Sequence, residues 1–289
     1  MKGLLYLALG ALLGSNLAQA QTDFYGLNYG VNPDACPTVD SLKSDFSKLK
    51  QYTNRIKTFS LSACNQGDLA LQATEELGMR MYLGMWIDRP DTFDQEMNAL
   101  NNVLAKHNLS NVDGIVVGSE VLYRGDTDAA SLVNYINKVK ALVKPKGIKV
   151  TTADVYYKIP PEVVQAVDFV TMNAFPYWEG VTVDQGANTL MEHYQSVISI
   201  AQGKPVIIGE TGWPSEGANF GASVPSPANQ HTYLQQVLCR VKQQNINMLW
   251  FSAMDEPYRA GVEGHWGLLD STRQLKTNIP PSVLKTPCQ

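Results

Sequence analysis

The chain has 289 residues and a formal net charge of −4, from 23 basic and 27 acidic side chains. This small negative charge, without any basic cluster, argues against nucleic acid or an anionic membrane as a partner. The length allows one large domain or two small ones. No linker, low-complexity run or block of like charge interrupts residues 21–280, which predicts a single domain.

The first twenty residues predict a secretory signal peptide. Lys2 gives a positive start, residues 4–13 are apolar, and Ala18-Gln19-Ala20 is a small-x-small cleavage site. The apolar stretch is too short to span the ~30 Å hydrocarbon core of a bilayer, so a membrane helix is not expected. We therefore expect a mature chain, 21–289, that is secreted to the extracellular space or the cell wall.

Four cysteines would enter an oxidising compartment, where disulfides form. They allow three pairings. We favour Cys36–Cys64 and Cys239–Cys288, because each pair would tie neighbouring elements and the second would hold the C-terminal tail. None of the four has a spacing typical of zinc ligands. The four histidines form no ligand spacing either, so no metal and no cofactor are expected.

Short β-rich runs alternate along the chain with longer segments of helical spacing. The strand runs are 24–30, 56–61, 79–87, 112–117, 149–155, 169–174, 206–209 and 248–253. The helical segments are 40–52, 69–77, 94–107, 129–143, 186–201 and 229–244. Eight strand signals alternating with helices predict an α/β fold, a single-domain (β/α)8 TIM barrel.

A doubly wound open sheet is the alternative architecture. That fold usually carries a glycine-rich phosphate loop after its first strand. Gly26 and Gly30 flank Leu27-Asn28-Tyr29 without the G-x-G-x-x-G spacing, which favours the barrel. In a barrel the active site is built where strands end and in the loops that follow, so charged and aromatic residues at strand ends are the candidates.

Two apolar strand runs end in a glutamate, Glu120 and Glu210. A carboxylate at the end of a buried strand is costly to desolvate unless it is paired, so such residues are often functional. They are 90 residues apart, about three βα units of roughly 30 residues. This spacing places Glu120 after the fourth strand and Glu210 after the seventh, facing one cleft.

Two carboxyl groups in one cleft suit the cleavage of a glycosidic bond. One protonates the leaving oxygen, and the other attacks the anomeric carbon or activates water. The motifs around them are residues 117–124, Gly209-Glu210-Thr211-Gly212-Trp213-Pro214, and residues 250–257. These resemble glycoside hydrolase family 17, particularly its fungal cell-wall branch, and the resemblance extends over the mature chain.

The resemblance implies retaining chemistry on β-1,3-glucan, with Glu210 as nucleophile and Glu120 as general acid/base. It also implies that Tyr177 hydrogen-bonds the nucleophile. Ser119 stands where related barrels usually have an asparagine that helps to bind the sugar 2-hydroxyl. Ser252 and Arg259 depart from the family pattern around the eighth strand, which alters the expected charge network beneath the acid/base.

Further candidates lie near predicted strand ends. Asp154 and Glu256 are placed to tune Glu120 or to bind sugar hydroxyls. Aromatic rings pack against pyranose C–H faces, and those at strand ends are Tyr29, Trp86, Tyr123, Tyr156, Trp178, Trp213 and Tyr258. Trp213, three residues after Glu210, is the first choice for a sugar platform, whereas Trp250 within a strand is expected to pack in the core.

Three functions remain open. The first is a β-1,3-glucanosyltransferase with some hydrolysis, which the fungal-branch resemblance favours. The second is an endo-β-1,3-glucan hydrolase, and the third is a non-catalytic glucan-binding wall protein. The expected partners are β-1,3-glucan and laminari-oligosaccharides, bound by a monomer.

Overall fold

The computed structural model describes residues 23–289, and the predicted signal peptide lies outside the described residues. Within that range eight parallel strands close into a barrel in which neighbours in sequence are neighbours in space and β1 pairs with β8. The strands are β1 Gly26–Asn28, β2 Arg55–Lys57, β3 Arg80–Met85, β4 Val112–Ser119, β5 Val150–Val155, β6 Val170–Asn173, β7 Val206–Thr211 and β8 Met248–Trp250. The predicted (β/α)8 barrel is confirmed, and the open sheet is excluded.

Helices follow the strands around the outside of the barrel. They are α1 Val39–Leu49, α2 Gln66–Leu77, α3 Pro90–Lys106, α4 Val121–Arg124, α5 Ala129–Val143, α6 Pro161–Ala166, α7 Val183–Ile200, α8 Pro227–Gln244 and α9 Pro281–Lys285. The six predicted helices correspond to α1, α2, α3, α5, α7 and α8. The helix between β5 and β6, α6, was not predicted because six residues are too few to show a helical period.

The observed strands differ from their predicted extents at one or both ends: β2, for example, ends at Lys57 rather than at residue 61, and β4 continues to Ser119. β1 and β8 are shorter than predicted, and the chain leaves the barrel after Trp250, with a cis peptide bond between Phe251 and Ser252. β7 is longer, since it continues to Thr211, and all six of its residues are buried. Glu210 therefore lies among the last paired residues of β7 and not in the loop that follows.

The core and the cross-links agree with the sequence expectations. Trp250 is fully buried. Disulfides join Cys36 to Cys64 and Cys239 to Cys288, with Cα–Cα distances of 5.2 and 4.9 Å. The first connects the loops after β1 and β2, and the second ties α8 to the end of the chain. Between residues 23 and 289, none of the helices is both long enough and apolar enough to cross a membrane.

Candidate active site

Glu120 and Glu210 line the same cleft at the mouth of the barrel. Glu120 directly follows β4, and Glu210 is the penultimate residue of β7. All strands of the barrel are parallel, so their C-terminal ends open on one face. The cleft there has a volume of about 860 Å³, and its lining includes both glutamates and Ser119. The strand spacing correctly predicted that the two glutamates share one cleft, although Glu210 lies within β7 and not after it.

Glu210 is held by a buried ion pair with Lys57. The lysine Nζ lies 2.7 Å from Glu210 Oε1, and the two side chains are 1% and 8% exposed. Ser119 Oγ donates to the same carboxylate oxygen at 3.1 Å. A buried carboxylate is costly unless a counter-charge and hydrogen bonds compensate it. Lys57 and Ser119 supply both, and they fix the direction in which the carboxylate points.

Asn28 holds the ammonium group of Lys57 in place. Its Oδ1 accepts a hydrogen bond from Lys57 Nζ at 2.9 Å. Its amide nitrogen donates to the carbonyl oxygens of Gly209 and Trp250, at 3.0 and 3.2 Å. The side chain of Asn28 thus connects β1 to β7 and β8, so the position of the lysine is set by the barrel itself.

Glu120 has a different environment. Its backbone is left-handed, with φ of 59°, a conformation that costs a non-glycine residue about 1–3 kcal/mol and is common at functional sites. Asn173 Nδ2 donates to Glu120 Oε1 at 3.1 Å and to Ser119 Oγ at 3.3 Å. Burial, reinforced by the negative charge of Glu210, raises the pKa of Glu120 to about 7. One carboxyl group is paired with an ammonium, and the other keeps its proton near neutrality.

Asp154 does not line the cleft, which corrects its prediction as a substrate-binding residue. Its side chain is buried in β5 and accepts hydrogen bonds from the backbone N–H groups of Leu122, at 2.9 Å, and Val155, at 2.8 Å. Burial raises the pKa of Asp154 to about 6. The carboxyl group therefore orders the turn that carries Glu120, and its charge adds to the upward shift of the Glu120 pKa.

Aromatic rings form the floor of the cleft. Phe251 packs edge-on against Phe175 and Phe59, with ring centroids 5.6 and 6.3 Å away. Trp266 packs against Phe175 at 5.2 Å. Lys57 Nζ lies 4.3 Å from the centroid of the Phe59 ring. Phe175 and Phe251 are half-buried and line the cleft next to the charged pair, so they can contact pyranose C–H groups, whereas Trp266 is buried behind them.

A second group of rings forms the wall on the side of Glu120. Tyr156 stacks on His193 with 3.6 Å between ring centroids, and Glu179 holds the imidazole at 2.8 Å. Tyr157 packs edge-on against Tyr156 and Tyr123, at 4.9 and 6.3 Å. The exposed rings that line the cleft are Trp86, Tyr123, Tyr157 and Trp178. The sequence-based predictions of Tyr123 and Trp178 as cleft residues agree with this geometry.

Trp213 is not a sugar platform, and Tyr177 does not hydrogen-bond the nucleophile. Trp213 is fully buried, and its indole N–H donates to the Val224 carbonyl at 3.0 Å. Tyr177 is also fully buried, and its hydroxyl donates to the Ala218 carbonyl at 2.5 Å rather than to Glu210. Both predictions were wrong because these rings turn inward and fill the space beneath the loop that follows β7, where they pack edge-on against each other.

Three more predicted residues lie outside the cleft. Tyr29, Glu256 and Tyr258 line a neighbouring pocket. Glu256 Oε2 pairs with Arg259 Nε at 2.5 Å, and Arg259 also lines the cleft. Ser252 donates to the Met254 carbonyl at 2.8 Å and closes a local turn. Ser252 and Arg259, which depart from the family pattern around the eighth strand, thus stabilise the loop after β8 and do not contact Glu120.

Sequence reasoning missed Lys57, Asn28 and Asn173. Each is a polar side chain within a predicted strand run, and each is buried. Such a residue is unfavourable in a buried strand unless it has partners. That cost was the available signal. The predicted strand runs, 24–30 and 56–61, extended beyond Asn28 and Lys57, so these two residues did not stand at predicted strand ends, although they are the last residues of β1 and β2.

Comparison with known proteins decides the family. A family model described as the BtgE/BtgC glycoside hydrolase domain matches residues 26–267. The chain belongs to this glycoside hydrolase family. The predicted resemblance to glycoside hydrolase family 17 is likewise confirmed by a solved relative. A family 17 β-1,3-glucanosyltransferase from Rhizomucor miehei is 66% identical with a TM-score of 0.88, over 89% of this chain and 97% of that one.

Relatives from yeasts match over most of their length. A glucan 1,3-β-glucosidase of Saccharomyces cerevisiae is 31% identical over 87% of this chain and 89% of its own. A glucan 1,3-β-glucosidase of Candida albicans is 32% identical over 87% of this chain and 91% of its own. An active-site mutant of the Rhizomucor enzyme has been solved in complex with laminaritriose.

Replacing Lys57 by methionine tests how much the ion pair contributes to the stability of the protein. Removing one partner of a buried pair typically costs about 3–5 kcal/mol of unfolding free energy, so denaturant melts of Lys57→Met should shift markedly. The double variant Lys57→Met/Glu210→Gln has no buried charge at this position and should recover most of that stability, without activity. A double variant as unstable as Lys57→Met would contradict this description of the site.

The pKa of Glu120 predicts a basic limb in the activity profile. If Glu120 must carry a proton to donate it, kcat/KM should fall as pH rises through about 7. Asn173 favours the ionised form of Glu120, so Asn173→Ala should move the limb to higher pH. The measurement is kcat/KM against pH for both proteins, and a limb that stays in place in the variant would argue against this assignment.

Proposed function

We propose that this glycoside hydrolase is a retaining β-1,3-glucanosyltransferase. It cleaves β-1,3-glucan, passes the glycosyl unit to another glucan, and hydrolyses some of it. The observation that carries the proposal is the unequal pair: Glu210 lies 2.7 Å from a buried ammonium, and the pKa of Glu120 is raised to about 7. Two carboxyl groups whose environments differ in this way can take the roles of nucleophile and acid.

In the first step the Glu210 carboxylate attacks the anomeric carbon. The glycosidic C–O bond breaks while a C–O bond to Glu210 forms, and Glu120 gives its proton to the leaving oxygen. Ser119 and Lys57 both contact Glu210 Oε1, which leaves Oε2 free of those contacts for the attack. The shortened glucan departs with the hydroxyl group that Glu120 has completed.

In the second step Glu120, now ionised, takes a proton from an incoming hydroxyl group. That oxygen attacks the anomeric carbon, and Glu210 leaves as a carboxylate. If the hydroxyl belongs to a glucan, the product is a longer chain. If it belongs to water, the glycosyl-enzyme intermediate is hydrolysed and a free shorter glucan is released. Glu120 serves the leaving and the incoming oxygen in turn, so both must lie on its side of the cleft.

The aromatic wall on that side supports transfer. An acceptor sugar must compete with water for the intermediate, and ring stacking gives it an advantage of a few kcal/mol at most. Tyr156 is held by stacking on His193 and therefore meets an acceptor in a fixed orientation. The Rhizomucor relative, 66% identical, is named as a β-1,3-glucanosyltransferase.

The second candidate is an endo-β-1,3-glucan hydrolase. The yeast relatives are named glucan 1,3-β-glucosidases, and relatives from Aspergillus are named putative or probable glucan endo-1,3-β-glucosidases. A small change in acceptor binding is enough to favour water. A non-catalytic wall protein would not require a buried Lys57–Glu210 pair beside a glutamate whose pKa is raised. The paired glutamates therefore favour an enzyme.

We further propose that the enzyme acts outside the cell or in the cell wall, as a monomer. The predicted signal peptide and the two disulfides support export. One chain supplies both glutamates, Lys57 and the whole aromatic lining of the cleft. The mechanism draws on these side chains alone, so it requires no cofactor.

Product analysis distinguishes transferase from hydrolase. Incubation with a laminari-oligosaccharide labelled at its reducing end should give products longer than the starting sugar, detected by chromatography. The Tyr156→Ala variant should shift the ratio toward hydrolysis because it lacks the ring that holds the acceptor. Only shorter products from the unmodified enzyme would establish the hydrolase instead.

Azide rescue tests which glutamate has which role. In Glu210→Ala, azide can replace the nucleophile and should give an α-glycosyl azide. In Glu120→Ala, azide can replace the acceptor and should give a β-glycosyl azide from an activated donor. NMR of the anomeric proton tells the two products apart, and the reverse assignment of products would exchange the roles.

A further inference from the structure

A pocket of about 490 Å³ lies beside the cleft, between the loop after β1 and the segment after β8. Gly30 and Val31 line both cavities. A side chain at residue 30 would overlap the Glu256 carboxyl group, since its Cβ would lie 1.9 Å from Glu256 Oε1. The Glu256 carboxyl group therefore packs directly against the backbone of Gly30, at the boundary between this pocket and the cleft.

Buried polar groups give the pocket a defined lining. Asp45 is 3% exposed, accepts a hydrogen bond from the Tyr29 hydroxyl at 2.8 Å and pairs with Arg273. Glu256 is also buried and pairs with Arg259. These charged side chains are already held by protein partners, so their orientation does not depend on a ligand, which lowers the cost of binding one.

An exposed ring completes the pocket. Tyr258 is 42% exposed although it lies in the pocket wall. Other polar side chains that line the cavity are Asn32, Thr38, Ser41 and Ser271. An open aromatic face beside fixed hydrogen-bonding groups is the combination that suits a pyranose ring, whose C–H face is apolar and whose edge carries hydroxyl groups.

The charges in the pocket argue against other ligands. Four carboxyl groups line it, those of Asp45, Asp255, Glu256 and Asp270. Three of them pair with a cation, Asp45 with Arg273, Glu256 with Arg259 and Asp255 with Lys276, so the one guanidinium in the lining, that of Arg273, is already paired. A phosphate or another anion would be repelled. Among the described residues, no group of three or more His, Cys, Asp or Glu side chains is arranged to hold a metal ion. A neutral, polyhydroxylated ligand fits best.

We propose that this pocket is a second carbohydrate site, which holds a length of β-glucan outside the catalytic cleft. The inference rests on the proposed function, because the cleft next to it takes the same polymer. The site keeps the enzyme on the polymer between catalytic events. It matters for long glucan and not for oligosaccharides that only fill the cleft.

Binding without turnover tests the site. In a Glu210→Ala background, affinity electrophoresis through gels with soluble laminarin measures Kd for the polymer. Tyr258→Ala removes one stacking ring and should raise Kd about 3- to 10-fold. Ser271→Trp, at an exposed position, should fill the pocket and have at least the same effect. Ile198→Ala and Ser199→Trp make matched changes on the exposed face of α7 and should leave Kd unchanged.

Turnover of a short substrate separates this site from the cleft. With Glu210 intact, Tyr258→Ala should act on laminaritriose as the unmodified enzyme does, within about twofold, and show a raised KM only on laminarin. Unchanged laminarin binding in both pocket variants would overturn the proposal. So would an equal loss on laminaritriose, because Tyr258 would then belong to the cleft. A protein that binds laminarin through this pocket but turns over no glucan would instead contradict the proposed function alone.

Discussion

The arrangement of the site depends on one buried ion pair, between Lys57 and Glu210. The barrel mouth would not accommodate an unpaired carboxylate at a position where β7 is wholly buried. Lys57 in turn is held by Asn28, whose amide bonds to backbone carbonyls of β7 and β8. The charge that makes Glu210 a nucleophile is therefore stabilised from inside the barrel, and the open side of the carboxylate is left for the substrate.

The second glutamate follows from the first. Burial raises the pKa of Glu120, and the negative charge of Glu210, which pairs with Lys57, adds to the shift. Asp154 and Asn173 then set the position and the proton affinity of Glu120. The roles of the two carboxyl groups arise from their neighbours and not from the groups themselves. Hydrolysis and transfer share this machinery, so the choice between them falls to the aromatic wall, where the acceptor binds.

The sequence predicted the barrel, both disulfides and the positions of Glu120 and Glu210, because strand periodicity and strand ends are local signals. It placed Trp213, Tyr177 and Tyr29 wrongly, because the direction of a ring after a strand depends on how the following loop folds. It missed Lys57 and Asn28, whose partners lie on strands distant in sequence. Glu256 and Tyr258 were predicted to line the catalytic cleft, but in the structure they line the pocket next to it.

The central claim is that Glu210 forms the covalent intermediate. The most direct measurement is mass spectrometry of the enzyme inactivated with a 2-deoxy-2-fluoro laminaribiosyl donor that carries an activated leaving group. The fluorine slows both steps, and the leaving group keeps the first step fast enough for the intermediate to accumulate. If Glu210 is the nucleophile, one glycosyl adduct should appear, on the peptide that contains Glu210, and none in Glu210→Gln. An adduct on the peptide that contains Glu120, or an equal adduct in Glu210→Gln, would contradict this claim.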